Sequence, residues 1–375
     1  MAGSSNRLSI LGENALKLGV FGVNVSHGCA VTDAEGTIEV DWSESLALAR
    51  AADRAGIEAM VPVARWKGFG GATNFNHRCF ETYTWAAGLA QATENIVLFA
   101  TSHVPTINPV LAAKQCATID HISNGRFGLN IVAGWNASEI AMFGNEQLPH
   151  DDRYAVAEEW IELIKELWTR EGTFDFRGKY FQCPGAYAEP KPVQKPHPLV
   201  MSAGVSPAGR AFAAKHADLN FLLAPNYEIV SDICRDVRSQ ANALEREVSI
   251  WGMAAIVVGD TEEDAKKYFD YYVDEKGDWE AARNLIGGAA TDGGSFHEDH
   301  LDEQLRQIVA GYAAIPLVGT AEQVAEKLVE FHSTGVDGLT LSWVNYSEGL
   351  KRFASEVIPL LEQAGLRKSV ADISS

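Results

Sequence analysis

What most restricts the folds open to this chain is a repeated couplet, a short apolar run followed by a helix with a polar cap, that recurs along its 375 residues. Leu16 to Val25 reads as a strand. Asp41 or Ser43 then caps a helix whose Leu48, Ala52 and Ala55 share one face, Gly56 stops it, and Ile57 to Val63 is the next strand. Phe80 to Thr93 reads as a helix and Asn95 to Thr101 as a strand. Asn108-Pro109 opens the helix Val110 to Ile122, and Phe127 to Val132 is again a strand. A long helix starts at Asp151 or Asp152 with Trp160, Ile164 and Leu167 at helical spacing. Further strands at Leu199 to Ala203, Leu219 to Leu223, Ser249 to Val258 and Gly338 to Trp343 alternate with helices opened at Ser206-Pro207, Tyr227 and the Thr320 to Gln323 capping box, and Leu350 to Ala364 closes the chain as a helix. About eight strands with helices between them predict an α/β fold, a (β/α)8 TIM barrel, rather than an open doubly wound sheet, and no G-x-G-x-x-G follows the first strand.

The reading is of a single domain over residues 1–375 with two excursions. Residues 172–198 hold several prolines and the aromatics Phe174, Phe176, Tyr180 and Phe181, an ordered excursion over one barrel mouth. Residues 262–312 begin at a Thr261 to Asp264 capping box, are polar and acidic, and are broken by Gly287-Gly288 and Gly293-Gly294; such an interruption reads as a lid or an oligomer contact.

A hydrophobic fraction of 46% is enough for a large core, and a formal net charge of -19 argues against nucleic acid or an anionic membrane as partner, since both need a basic face. An anionic ligand must be held by local groups against that field. Five scattered cysteines (Cys29, Cys79, Cys116, Cys183, Cys234) without C-x-x-C spacing indicate unpaired thiols in a reducing compartment; with no membrane-length apolar run, the chain reads as cytoplasmic. No metal site is expected: His297 and His300 lack a second ligand pair. A hydrolase nucleophile elbow is also missing, because Gly204-Val205-Ser206 runs into Pro207.

Candidate chemistry collects at strand ends. Asn130 is a carboxamide inside an apolar strand, and Thr101, Ser102 and His103 end the neighbouring one, so a hydroxyl beside an amide forms a polar niche. A core Asn satisfied by backbone is the plainer alternative. The loop Ala203 to Pro207 offers a close-approach glycine and a helix start that favours an anion, or an ordinary cap at Ser206. Arg153, at a helix start where the dipole disfavours a cation, points to a phosphate with Tyr154 beside it, or to pairing with Asp151 or Glu139. Arg65-Trp66-Lys67-Gly68-Phe69-Gly70-Gly71 places two cations and two aromatics on a glycine-hinged loop.

The stretches Lys67 to Gly71, Ala117 to Asp120, Gly125 to Trp135, Arg153-Tyr154 and Ala203 to Gly209 resemble the bacterial-luciferase-like flavin-dependent monooxygenases. Within that family the pattern is nearest to the pyrimidine oxygenase of uracil catabolism and the dimethyl-sulfone and alkanesulfonate monooxygenases. The resemblance implies a barrel that binds FMN at its carboxyl mouth, supplied reduced as FMNH2 by a separate NAD(P)H:flavin reductase, and that reacts with O2 in a homodimer or homotetramer. It implies flavin contacts at Ala64, Arg65, Asn130, Glu139, Arg153, Tyr154 and Ser206. Thr101 and Asn130 would form an oxygen-holding niche beside flavin N5, consistent with a flavin-N5-peroxide. Asn24, Trp66, His103 and Trp135 fall on the substrate side. Arg65 and Trp66 depart from the pyrimidine oxygenase, and Asn24-Val25-Ser26 looks more like the sulfone enzyme. The substrate implied is a small polar molecule, a cyclic amide, pyrimidine-like or heteroaromatic ring, with C-S cleavage of a sulfone or alkanesulfonate as the alternative. A deazaflavin-dependent hydride-transfer enzyme and a non-catalytic flavin-binding subunit are the remaining alternatives.

Overall fold

The computed structural model describes residues 8–290 and 301–369. The first half of the chain supplies strands β1 (Lys17–Phe21), β2 (Ala59–Val61), β3 (Val97–His103) and β4 (Phe127–Val132), separated by helices α1 (Trp42–Arg54), α2 (Thr82–Ala90) and α3 (Pro109–Ile122). Their starts are set by local chemistry. The carboxylate of Asp41, rather than Ser43, accepts the Ser43 and Glu44 N–H groups; Glu81 does the same for Tyr83 and Thr84; and Asn108 accepts from Val110 ahead of Pro109. Short α4 (Ala137–Met142) and long α5 (His150–Thr169) follow.

An antiparallel hairpin, β5 (Phe174–Arg177) with β6 (Gln182–Ala186), then precedes β7 (Leu199–Ser202), α6 (Pro207–His216), β8 (Leu219–Phe221), α7 (Tyr227–Ala243) and β9 (Ser249–Val258). The hairpin segment lies at the amino-terminal side of the strands. Lys191 donates to the carbonyls of Leu167 and Arg170 at the end of α5, and Gln194 donates to Asp120 near the end of α3.

The second excursion is helical: α8 (Glu262–Asp270), a π turn, α9 (Trp279–Ala290) and α10 (Leu301–Gly311), leading to β10 (Ile315–Gly319), α11 (Ala321–Ser333) and β11 (Gly338–Ser342). Gly287-Gly288, read from sequence as a break, lies inside α9, where Ala281, Ala282, Leu285 and Ile286 pack into an apolar cluster with α10. Gly293-Gly294, His297 and His300 lie outside the described residues. The closing helix comes in two pieces, α12 (Tyr346–Arg352) and α13 (Ile358–Gln363), joined by a π turn.

Among the described residues, eight parallel strands close a ring in the order β1-β2-β3-β4-β7-β8-β9-β11, with β11 returning to β1. This is the TIM barrel. The strand that the sequence did not reveal, β10, pairs parallel with the far half of β9 (Ala254 to Val258), while β11 takes Trp251 to Ala255. Side chains alternate: Leu98, Ala100, Leu129 and Ile131 face the helices, and Val97, Phe99, Met201, Phe221, Trp251 and Met253 fill the interior. Gly128 is required by this packing, since a Cβ there would lie 2.3 Å from the Phe99 ring. No helix among the described residues is long and apolar enough to cross a membrane.

Candidate active site at the carboxyl mouth

The alternation that turns Ala100 and Leu129 outward turns Thr101 and Asn130 toward the barrel axis, and the register makes them direct neighbours across β3 and β4. Their polar atoms meet. Thr101 Oγ1 donates to the Pro62 carbonyl at 2.5 Å, and Asn130 Nδ2 donates to Thr101 Oγ1 at 3.1 Å. Because the hydroxyl proton is committed to Pro62, the group facing Thr101 must be a donor. That fixes the orientation of the carboxamide. Asn130 Oδ1 is left buried with no protein partner. The niche therefore presents an amide acceptor and a second amide N–H, and Thr101 contributes position rather than a proton.

Glu139 is held by α4, whose cap Asn136 accepts the Ser138 and Glu139 N–H groups. Its carboxylate is fully buried. Oε1 accepts the backbone N–H of Trp66 at 2.7 Å and of Lys67 at 3.0 Å, and Oε2 lies 3.1 Å from Arg65 Nη1. Arg65 also donates to Tyr312 Oη at 3.3 Å, and its guanidinium lies beside the stacked rings of Phe69 and Trp135, 4.9 and 5.0 Å from their centroids. Phe69 and Trp135 are stacked within 8° of parallel. Glu139 is thus the anchor of the loop after β2, spending its oxygens on protein groups. His103 Nδ1 is 3.9 Å from Glu139, but burial, reinforced by the Arg65 guanidinium, pushes the imidazole down to about 3, so it is neutral at physiological pH.

The residues expected on the substrate side have different surroundings. Asn24 is wholly buried; its Nδ2 donates to Val63 O at 2.7 Å and Phe80 O at 3.1 Å, and its Oδ1 accepts the Val63 N–H at 2.8 Å. A carboxamide so engaged ties the segment after β1 to those after β2 and before α2, with both Nδ2 protons committed to backbone carbonyls. Trp135 is half-buried and stacks on Phe69 with the Arg65 guanidinium beside it. Trp66 is exposed at the rim and meets Phe143 edge to face at 4.9 Å.

Across the mouth, Arg153 is buried and its Nη1 donates to the Gly134 carbonyl at 2.6 Å. Ser206 caps α6 by accepting the Gly209 N–H at 3.2 Å. Gly204 and Gly209 approach so closely that a Cβ on Gly204 would lie 2.6 Å from Gly209 Cα and 2.7 Å from the Tyr154 hydroxyl. A small cavity of about 30 Å³ adjoins them, lined by Tyr154, Ser202, Ala203, Gly204 and Phe212 among others. A bare-backbone cradle at the start of a ten-residue helix, with a buried arginine nearby, suits a phosphate. The orphaned acceptor of Asn130 suits a polar ring edge. The residues present therefore fit a phosphorylated ring cofactor such as FMN.

A larger cavity of about 270 Å³ runs from Ala64, Arg65 and Thr101 out past His103 to Tyr83, Ser102 and Gln115. Tyr312, Tyr83 and Gln115 escaped the sequence analysis; none belongs to a motif stretch, although Gln115 precedes Ala117 on the same helix, and only the fold brings the three to one mouth. One cluster elsewhere has metal-ligand atoms, Glu158, Glu162 and His216, but Lys215 already ion-pairs with both carboxylates.

A closed parallel (β/α)8 ring with its polar constellation at the carboxyl ends of the strands is the architecture of a TIM-barrel enzyme. The luciferase-like monooxygenase pattern matches residues 18–338, and the chain belongs to that family. It is 32% identical over 367 residues to the pyrimidine monooxygenase RutA of a Bradyrhizobium species, covering 94% of this chain and 99% of the other. It is 31% identical over 354 residues to the FMNH2-dependent dimethylsulfone monooxygenase of Pseudomonas putida, covering 93% and 96%. In fold it is similar to DmoA from Hyphomicrobium sulfonivorans, with a TM-score of 0.83, 22% identity and 95% and 90% of the two chains covered. The long-chain alkane monooxygenase LadA gives a TM-score of 0.84, 20% identity and coverage of 95% and 93%.

Proposed function

We propose that this chain is the oxygenase half of a cytoplasmic two-component system. It takes FMNH2 from a separate NAD(P)H:flavin reductase and uses O2 to oxidise a small polar molecule, either a cyclic amide or pyrimidine-like ring or a sulfone. The observation that carries the reading is the Thr101 and Asn130 contact, which leaves one buried acceptor facing the barrel axis where the mouth opens. Family membership and the pyrimidine and dimethylsulfone relatives support the chemistry.

When bound, the reduced flavin supplies two electrons, so that one oxygen atom enters the product and the other leaves as water. The chain's residues bind, orient and dry. Arg153, Tyr154, Gly204 and Ser206 seat the phosphate end, supplying a local cation and backbone N–H groups against the net charge of -19. Ala64 and Arg65 border the ring. Asn130, pinned by Thr101, would hold a bound ring edge without reorganising, and the burial of both residues would keep bulk water from the reacting atoms. Glu139 keeps the loop of Arg65 and Trp66 in place. The exposed Trp66, Leu111, Met142 and Phe143 favour association into a homodimer or homotetramer.

The test supplies FMN, NADH, a flavin reductase and O2, and measures product, oxygen uptake and hydrogen peroxide for the parent and for Asn130→Ala. The parent should turn over a lactam, a pyrimidine or a sulfone. Asn130→Ala should still consume FMNH2 but release most of the oxygen as hydrogen peroxide. An unchanged ratio of product to oxygen in the variant overturns the assignment of the niche.

A further inference from the structure

Strand β8 breaks the pattern of its neighbours. Leu219 and Phe221 fill the barrel interior, so alternation turns Asn220 outward toward the helices, where nearby outward positions carry Val200 on β7 and Ile250 on β9. An aliphatic side chain is what such a position calls for. Asn220 is instead a carboxamide with 0% exposure, and its Nδ2 donates to the Ser202 carbonyl at 3.0 Å and to the Gly204 carbonyl at 3.2 Å. Two acceptors on one side fix the NH2 there, and Oδ1 is left buried with no partner among the described residues. An orphaned acceptor at that depth is costly, so what keeps a carboxamide here is the pair of carbonyls it holds.

Both carbonyls belong to the turn from β7 into α6. Ser202 ends the strand, and Gly204 lies two residues before Ser206, the cap of the helix. The Gly204–Val205 peptide is trans, which sets the carbonyl and the following N–H in opposite directions. A Gly204 carbonyl held toward Asn220 therefore turns the Val205 N–H to the other side of the turn, and among the described residues no acceptor takes it. The Ser206 oxygen accepts the Gly209 N–H and keeps its own proton to give. The turn cannot set this arrangement alone. Close packing of Gly204 against Gly209 admits no Cβ, and a glycine backbone tolerates either orientation of its peptide, so a group outside the turn must choose.

We infer that Asn220 is the positioning residue of the phosphate cradle: from the adjoining strand it holds the Ser202 and Gly204 carbonyls away from a bound anion and so keeps the Val205 N–H presented to it. Asn220 itself touches no ligand. Without it the Gly204 peptide is free to swing its carbonyl toward the phosphate, replacing a donor by a partial negative charge in a chain whose net charge is already -19. The inference rests on the flavin reading of the mouth and adds to it the residue that aims the cradle.

The experiment titrates the purified full chain with FMN and with riboflavin, which lacks the phosphate, following flavin fluorescence, for the parent, Asn220→Leu and Asn220→Ser, each with a thermal melt. The parent should bind FMN at least about tenfold more tightly than riboflavin. Asn220→Leu removes both donors and the bare acceptor together; it should fold, weaken FMN by about tenfold and leave riboflavin within about twofold of the parent. Asn220→Ser, with one donor remaining, should fall between, and should Asn220→Leu not fold, the ratio of FMN to riboflavin affinity in Asn220→Ser decides. Equal weakening of both flavins, unchanged FMN affinity in the variants, or failure of both to fold overturns the proposal and leaves Asn220 a purely structural residue. A parent that binds FMN and riboflavin alike overturns it together with the cradle, whereas a parent that binds neither sinks the flavin reading on which it rests.

Discussion

Replacing Glu139 by Gln removes one negative charge from a carboxylate with 0% side-chain exposure, opposite an arginine with 2%. A glutamine carbonyl can still accept the Trp66 and Lys67 N–H groups, but its NH2 then faces the Arg65 guanidinium, donor against donor. Breaking a buried pair from one side costs about 3–5 kcal/mol, because the remaining charge stays desolvated and alone. His103 cannot compensate, being neutral, and Tyr312 offers only a hydroxyl dipole. At roughly 2 °C per kcal/mol for a chain of this size, Tm should fall by roughly 6–10 °C in a thermal melt followed by circular dichroism. FMN affinity should fall with it, since the loop that borders the ring loses its anchor. Arg65→Met added to Glu139→Gln removes the stranded charge and should recover part of the loss, a favourable coupling on the order of 1–3 kcal/mol. A Glu139→Gln protein that melts with the parent, or a double variant whose losses simply add, would refute the argument that the pair holds the loop.

Two further outcomes follow from the geometry. Gly204→Ala drives a methyl into Gly209 and the Tyr154 hydroxyl, so FMN binding measured by fluorescence quenching should weaken at least about tenfold, with about 1–3 kcal/mol of overpacking seen in urea unfolding; unchanged affinity removes the phosphate cradle. His103 carries a pH dependence. Its folded value lies near 3, below the ordinary 6.5, so the unfolded chain binds the proton first as pH falls, and stability is full above about 6.5 and declines toward 3. His103→Gln should therefore lose roughly 2 kcal/mol less than the parent between pH 7 and pH 5 in urea titrations, and parallel losses would show that the imidazole is not buried neutral.

The barrel was legible because its punctuation is local. Asn108, Ser206 and Thr320 cap helices by bonds to residues two or three positions on, and a cap followed by helical periodicity can be read without knowing the fold. Thr101 and Asn130 were legible as a pair because strand alternation and adjacency fix which way both point. The direction of the Thr101 proton was not, since it is decided by the Pro62 carbonyl just past the end of β2. Asn24 misled for a related reason: a carboxamide at a strand end looks the same whether it serves a ligand or the backbone, and only the positions of Val63 and Phe80 distinguish the two. Strand β10 went unseen because Ile315-Pro316-Leu317-Val318-Gly319 is short and contains a proline, which is tolerated where the strand sits at the end of the sheet order. The paired glycines of α9 were taken for a stop, yet tertiary packing of Leu285 and Ile286 carries the helix through them.

Strand β9 runs on beyond the ring and lends its last five residues to β10, starting at the pairing of Ile315 with Ala254. Tyr312, three residues before that pairing, is held from both sides, by the stave that follows it and by the end of α10, where the Ile308 carbonyl accepts its N–H at 2.9 Å. Sheet and helix together give the phenol its address beside Arg65. The outrigger of helices is then free to diversify its outer face, as a handle for other molecules, without detuning the mouth it shelters.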